Sequence, residues 1–142
     1  SACQSSPPQV NKRVQVLREQ GFVQHDDGWE LQMSGKLLFD FNSGSMPDER
    51  REILARIGRA LADAGVQALR VEGHADDQGS AEYNQRLSLR RAQAVAQVLA
   101  EAGIPRAHID VRGLGSSYPL VGGNSAAERR ENRRAALIVP AQ

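Results

Sequence analysis

Residues Val71 to Ala92, VEGHADDQGSAEYNQRLSLRRA, decide the fold of this chain. Apolar and polar residues alternate over Ala68 to Gly73, which predicts a half-exposed strand. Residues Ala81 to Ala102 contain no glycine or proline and precede Gly103, so they predict a long helix with a glycine at its end. An acidic loop joins the two elements, and Asp76 in that loop is expected beside the free N–H groups at the helix start, which favour bound anions.

Three polar residues of this stretch form a candidate binding site. The Asp76 carboxylate suits a ligand ammonium, and the planar guanidinium of Arg91 suits a carboxylate held in a bidentate pair. Asn84 lies seven residues before Arg91, so the two share a helix face about 10.5 Å apart along the axis, with Ser88 on the same side. The charges leave a second interpretation open, in which Arg91 pairs with Asp76 and pins the helix to the loop.

The remaining sequence predicts further helices and strands on both sides of this stretch. A short amphipathic helix is expected first, then a hairpin with an Asp-Gly turn, a strand, and a helix opened by a proline and two acids. After the long helix come a third strand, a short helix and a last strand. Before the long helix, the predicted bounds are Val10 to Gln20 for the first helix, Phe22 to Leu31 for the hairpin and Lys36 to Phe41 for the strand. The next helix begins at Pro47, and its predicted buried stripe is Ile53, Leu54, Ile57 and Leu61. After the long helix, the predicted bounds are His108 to Gly113 for the third strand, Ala126 to Glu131 for the short helix and Arg134 to Val139 for the last strand. This order predicts an α+β fold with helices layered on a mixed sheet.

Length and composition predict one compact domain with a tail. The chain has 142 residues, 40% of them hydrophobic, and a formal charge of +1. The 18 Lys and Arg residues nearly balance the 17 Asp and Glu residues, which argues against a broad nucleic-acid-binding surface. Apolar runs are far shorter than the roughly 20 residues of a membrane-spanning helix, so membrane attachment would have to be peripheral or covalent.

The N-terminus contains the one cysteine, Cys3, in the sequence Ser-Ala-Cys. It resembles the end of a bacterial lipoprotein signal, in which cleavage leaves an acylated cysteine; the alternative is a free thiol in an unfolded terminus. The polar, proline-containing segment from Gln4 to Gln9 suits a spacer between an anchor and a domain. Because Gln4 is not the aspartate associated with inner-membrane retention, the resemblance favours the outer membrane.

From Lys36 to Gln142 the chain resembles the OmpA C-terminal family, most specifically in GHADDQG, YNQRLS, RRAQAV, RGLGSS and ENRR. The resemblance implies a two-layer α/β sandwich with a βαβαβ core, a mixed sheet and an extra terminal strand. It also implies a non-catalytic module that binds the diaminopimelate of peptidoglycan and needs no cofactor. The residues implied in binding are Asp76, Arg91, Asn84, Asn42, Gly79, Ser88 and Arg133. Residues 1–20 would be the tether and first helix, and 21–142 the binding domain.

The chain departs from the family pattern at two positions beside Asp76. Ala75 replaces the usual threonine of GHTD, which removes one possible hydrogen bond. Asp77 stands where asparagine is common, and a second carboxylate would either strengthen the binding of an ammonium or repel acidic groups of the glycan.

The stretches VLREQGF, DDGWELQMS and KLLFDFN resemble outer-membrane lipoproteins of this family that sequester a periplasmic repressor. In those proteins, sequestering the repressor relieves its inhibition of an inner-membrane diguanylate cyclase, which makes the biofilm signal c-di-GMP. The implied residues for repressor contact, or for a latch that holds the tail down, are Leu17, Glu19, Gly21, Phe22 and Trp29. The alternatives left open are that Phe22 and Trp29 only cap the core, that the protein is a structural tether without a signalling partner, and that it forms a homodimer.

Two other classes of function have weaker support in the sequence. His74 with Asp76 and Asp77 suggests a metal-dependent enzyme, but His25 and His108 lack the spacing of ligands. The run from Arg129 to Arg134 suggests nucleic-acid binding, but acids interrupt it and no aromatic residues interleave to stack bases.

Overall fold

A computed structural model describes residues 8–39 and 44–141 of the chain. Five strands form one mixed sheet in the order β1-β2-β5-β3-β4. The elements are α1 (Pro8–Glu19), β1 (Val23–His25), β2 (Gly28–Ser34), α2 (Gly35–Leu38), α3 (Asp48–Asp63), β3 (Leu69–His74), α4 (Ala81–Glu101), a 3₁₀ turn (Arg106–His108), β4 (Ile109–Gly113), α5 (Ala126–Asn132) and β5 (Arg134–Pro140). The α+β fold expected from the sequence is confirmed.

The last strand, β5, lies in the middle of the sheet. It is antiparallel to β2 on one side, with Trp29 opposite Val139, and to β3 on the other, with Val71 opposite Leu137. Strands β3 and β4 are parallel and are joined through α4, as a parallel pair requires a long crossover. This topology places the loop after β3 beside the residues that enter β5.

Two glycines let α4 approach the sheet closely. Gly73 and Gly113 lie opposite each other on β3 and β4. A Cβ atom on Gly73 would lie 2.1 Å from the carbonyl oxygen of Ser88, and one on Gly113 would lie 2.6 Å from the Leu89 backbone nitrogen. Side chains at these positions would therefore push α4 away from the strands.

The core lies between the helices and the sheet. Its wholly buried side chains include Leu61 of α3, Leu99 of α4 and Leu137 of β5. The N-terminal helix α1 joins this core, since Leu17 is 0% exposed. Arg13 of α1 also donates hydrogen bonds to the carbonyl oxygens of Gly65 and Pro140, so the helix is docked on the domain.

Two local predictions are wrong. The strand predicted at Lys36 to Phe41 is a short helix, Gly35–Leu38, in its described part. Strand β2 pairs with β5 only as far as Ser34, because β5 begins at Arg134; the next N–H, that of Gly35, donates to the Arg133 carbonyl, and the chain turns.

The second error concerns α3, where the predicted buried stripe included Ile53. That side chain is 58% exposed, whereas Leu54 and Leu61 are buried. The buried face is formed by Leu54, Gly58 and Leu61 at helical spacing, and Ile57 is partly buried. Ile53 directly precedes Leu54, so its side chain is turned away from this face by one residue step around the helix axis.

Candidate functional site

The loop after β3 holds a buried carboxylate. Asp76 is 6% exposed, and its Oδ1 accepts a hydrogen bond from the Gln78 backbone N–H at 2.9 Å. Its Oδ2 accepts one from Arg133 Nη1 at 2.5 Å. The first contact fixes the loop, and the second ties the loop to the start of β5.

Asn84, in the first turns of α4, also holds this loop. Its Nδ2 donates to the carbonyl oxygens of Asp76, at 3.2 Å, and Gln78, at 2.7 Å. The helix begins just before it, where the Ser80 side chain accepts a hydrogen bond from the Tyr83 N–H. Gly79 has a φ of 84°, a left-handed conformation that glycine adopts without strain, and it makes the turn from loop to helix.

Arg91 projects from α4 into the same region. It is 7% exposed, and its guanidinium carbon lies 5.3 Å from the centroid of the Phe39 ring, a distance that allows a cation–π contact. Burial lowers the pKa of Arg91; the Asp76 carboxylate raises it and the Arg133 guanidinium lowers it. Asp76, Arg91 and Arg133 line a shared space.

That space is a cavity of about 150 Å³. Pockets for drug-sized ligands span about 300 to 1,000 Å³, so this one suits the end of a side chain. It is lined by Ala75, Asp76, Gln78, Gly79, Tyr83, Asn84, Leu87, Arg91 and Arg133. Five residues predicted for the site thus line one cavity: Asp76, Gly79, Asn84, Arg91 and Arg133.

The other two predicted site residues have different outcomes. The Ser88 hydroxyl is wholly buried; it donates to the Gln85 carbonyl and accepts a hydrogen bond from the Gly115 N–H. It joins α4 to the loop after β4, and it does not line the cavity. Asn42 lies outside the described residues, so its role stays a prediction.

Sequence reasoning missed Tyr83 and Leu87, which line the cavity. The signal was available, because Tyr83, Leu87 and Arg91 follow one another at four-residue intervals on one face of α4. It also left open the possibility that Arg91 pins the loop by pairing with Asp76. In the described part of the chain, Arg133 donates a hydrogen bond to Asp76 and so connects the loop to β5.

The carboxylate of Asp77, the departure beside Asp76, points to the rim. It is 55% exposed, and its Oδ1 accepts a hydrogen bond from Arg129 Nε at 2.8 Å. This hydrogen bond lowers the pKa of Asp77. Asp77 is therefore paired within the chain and is not among the residues that line the cavity.

The matches to known proteins decide the family. The model of the OmpA family matches residues 38–133. The chain belongs to the OmpA family. It is 47% identical to the outer-membrane lipoprotein YfiB of Pseudomonas aeruginosa, over 100% of this chain and 86% of that protein. OmpA-family domains of this YfiB-like kind bind peptidoglycan and are non-catalytic.

Solved structures share the fold. The cell wall anchor of the T6SS from Pseudomonas aeruginosa has a TM-score of 0.74 and 29% identity, covering 97% of this chain and 100% of that one. The peptidoglycan-associated lipoprotein from Burkholderia pseudomallei has a TM-score of 0.64 and 30% identity, covering 75% and 87%. The predicted OmpA-like fold is thereby confirmed.

The family assignment removes the enzyme alternative. Among the residues that the structure describes, no group of three His, Cys, Asp or Glu side chains could hold a metal ion. His74, the candidate ligand, is buried, and its Nε2 lies 3.6 Å from Glu72 Oε1. Burial, reinforced by the charge of Arg134, lowers the pKa of His74.

The arginine run before and within β5 also has an intramolecular role. Arg129 and Arg133 pair with the loop after β3, and Arg134 donates hydrogen bonds to Gln32, Asn132 and Tyr118. These contacts explain the cluster as a connection between segments of the domain.

No helix of the described ranges has the length and apolar character needed to span a membrane.

The residues predicted for partner contact divide into two groups. Leu17, Phe22 and Trp29 are buried in the core, with 0%, 4% and 8% exposure. Glu19 and Gly21 are exposed. The Arg18 guanidinium lies 5.8 Å from the Trp29 ring centroid. With α1 docked, the three apolar residues therefore offer little surface to a partner. Cys3, the predicted lipidation site, lies outside the described residues.

Proposed function

We propose that this cavity binds the free zwitterionic end of diaminopimelate in the peptide of peptidoglycan. The observation that carries the proposal is that a buried carboxylate, Asp76, and a buried guanidinium, Arg91, line the same small cavity. An ammonium and a carboxylate on one carbon present the complementary charges. Charge-assisted hydrogen bonds in such a desolvated place are stronger than those made at the surface.

The carboxylate of Asp76 has acceptor capacity for this ligand. Each carboxylate oxygen can accept two hydrogen bonds, and the contacts with Gln78 and Arg133 use one on each. A ligand ammonium can therefore join Arg133 at Asp76. Arg133 also brings a second guanidinium to the cavity, beside that of Arg91.

The test is co-sedimentation with peptidoglycan sacculi. Asp76→Asn keeps an oxygen for the Gln78 N–H while removing the charge, and Arg91→Gln removes the guanidinium. Each is expected to weaken binding at least tenfold, in line with about 1.5–3 kcal/mol for a hydrogen bond to a charged group.

Asp110→Asn and Arg112→Gln are the matched controls. These residues form an exposed ion pair on β4, 2.9 Å long, which does not line the cavity. They are expected to bind sacculi like the unmodified protein. Unchanged sedimentation of both cavity variants would overturn the proposed site.

We further propose that the protein is held at the outer membrane by an acyl group on Cys3 and faces the periplasm. The similarity to an outer-membrane lipoprotein over the whole chain supports this. Replacing Cys3 with serine should remove the protein from the outer-membrane fraction. Retention of Cys3→Ser in the outer-membrane fraction would contradict acylation at this residue.

We also propose that the chain sequesters a YfiR-like periplasmic repressor and so relieves a YfiN-like diguanylate cyclase. The support is its similarity to YfiB, together with the burial of Leu17 of the docked helix α1 in the same core as Phe22 and Trp29. Undocking α1 would expose Leu17 and remove Arg18 from the Trp29 ring. The 12 residues of α1 span about 18 Å as a helix and about 40 Å when extended, so unfolding of the released helix would also lengthen the tether.

A pull-down with a YfiR-like protein tests this second proposal. Leu17→Ala weakens the docking of α1 and should increase capture of the repressor. Lys12→Ala, an exposed change on the same helix and outside the residues predicted for repressor contact, is the control and should leave docking intact. Equal capture by unmodified protein and Leu17→Ala would reject the release model, and no capture by either would reject the partner.

A further inference from the structure

Two ion pairs connect the same two segments of the chain at the edge of the cavity. Arg129 Nε donates to Asp77 Oδ1 at 2.8 Å, and Arg133 Nη1 donates to Asp76 Oδ2 at 2.5 Å. The two aspartates are adjacent in the loop after β3, and the two arginines are four residues apart. The pairs therefore lie side by side, with Asp76 and Arg133 lining the cavity and Asp77 and Arg129 outside it.

The helix that carries Arg129 depends on such contacts for its position. Helix α5 has seven residues, too few for stability on its own. A capping box between Ser125 and Glu128 satisfies its first turn. Its buried residue, Asn132, accepts hydrogen bonds from the N–H groups of Leu120 and Val121, which belong to the preceding loop. Across to the loop after β3, α5 is held by the Asp77–Arg129 pair.

We propose that Asp77 and Arg129 are a positioning pair, which holds α5 so that the Arg133 guanidinium stays at Asp76 and thereby sets the affinity of the cavity for its zwitterionic ligand. This inference rests on the proposed function of the cavity. An asparagine in place of Asp77 would keep a hydrogen-bond acceptor but remove the charge that attracts Arg129.

Calorimetric titration with a diaminopimelate-containing muropeptide tests the pair. Asp77→Asn and Arg129→Gln should each weaken binding about two- to fivefold, the size that a partly exposed ion pair supports. The double variant should bind no more weakly than the weaker single variant, because either change already breaks the contact. Asp77→Glu, which keeps the charge, should recover part of the affinity. Asp110→Asn and Arg112→Gln, which break an exposed pair away from the cavity, should bind normally.

A measurement without ligand separates this inference from the proposed function. Arginine side-chain NMR reports how freely the Arg133 guanidinium rotates. Both Asp77→Asn and Arg129→Gln should speed that rotation, and Arg112→Gln should leave it unchanged. If Arg133 is unaffected by the two variants, or if their effects on affinity add, the positioning role is overturned. If the unmodified protein does not bind the muropeptide while Arg133 still responds, the proposed function fails and the positioning of Arg133 stands.

Discussion

Replacing Gly73 with alanine should separate α4 from the sheet and weaken the domain. The added Cβ would lie 2.1 Å from the Ser88 carbonyl oxygen, whereas real Cβ atoms essentially never come closer than 3.0 Å. The helix would have to retreat by about 1 Å, and its backbone cannot rotate out of the way as a side chain can. Overpacking of this kind costs about 1–3 kcal/mol, and the obstacle here is backbone, so we expect the upper part of that range.

Urea and thermal unfolding followed by circular dichroism measure the cost. For a chain of this length each kcal/mol shifts the melting temperature by about 3 °C, so Gly73→Ala should melt about 6 to 9 °C below the unmodified protein. Gly122→Ala is the matched control, because no atom lies within 4 Å of its added Cβ. Its effect should stay within about 0.5 kcal/mol. Equal unfolding midpoints for the two variants would refute the close approach of α4 to β3.

Two further changes probe buried groups away from the cavity. Burial lowers the pKa of His74 in the folded protein, so the unfolded chain binds its proton more readily, and the free energy of unfolding should fall as the pH drops below about 6.5. His74→Gln should lose this dependence in urea titrations between pH 7.5 and 5. His108→Gln, a change at an exposed histidine, should keep it. An equal slope in both variants would exclude His74 as its source. Leu17→Ala should lower the free energy of unfolding by about 2–5 kcal/mol and speed proteolysis within α1, whereas Val23→Ala, 60% exposed, should change neither. Slow, unchanged cleavage of Leu17→Ala would contradict the docking of α1.

Local pattern was enough to predict three of the nine residues that line the cavity. Asp76 follows a strand, and Asn84 and Arg91 share a face of one helix, so strand and helix periodicities place all three. The same helical face carries Tyr83 and Leu87, which the sequence reasoning passed over because it weighed polar residues alone. Ser88 shows the limit of that approach, since a hydroxyl in the right helical phase is used inside the fold.

Long-range pairing was beyond the reach of the sequence. Arg133 is 57 residues from Asp76, and their contact depends on β5 lying between β2 and β3. The same placement explains the missed helix after β2, because the partner strand starts at Arg134 and offers no further residues for pairing. Aromatic residues were ambiguous for a related reason: Phe22 and Trp29 are equally suited to a core and to an interface, and burial decides between them.

The central claim is that the cavity recognises the zwitterionic end of diaminopimelate. NMR titration with two muropeptides, one with diaminopimelate and one with lysine in its place, tests this most directly, because lysine lacks the carboxylate that Arg91 would bind. The diaminopimelate peptide should shift the signals of Asp76, Asn84 and Arg91 at saturation and bind at least tenfold more tightly. Equal affinity for the two peptides, or shifts confined to residues outside the cavity, would contradict the account.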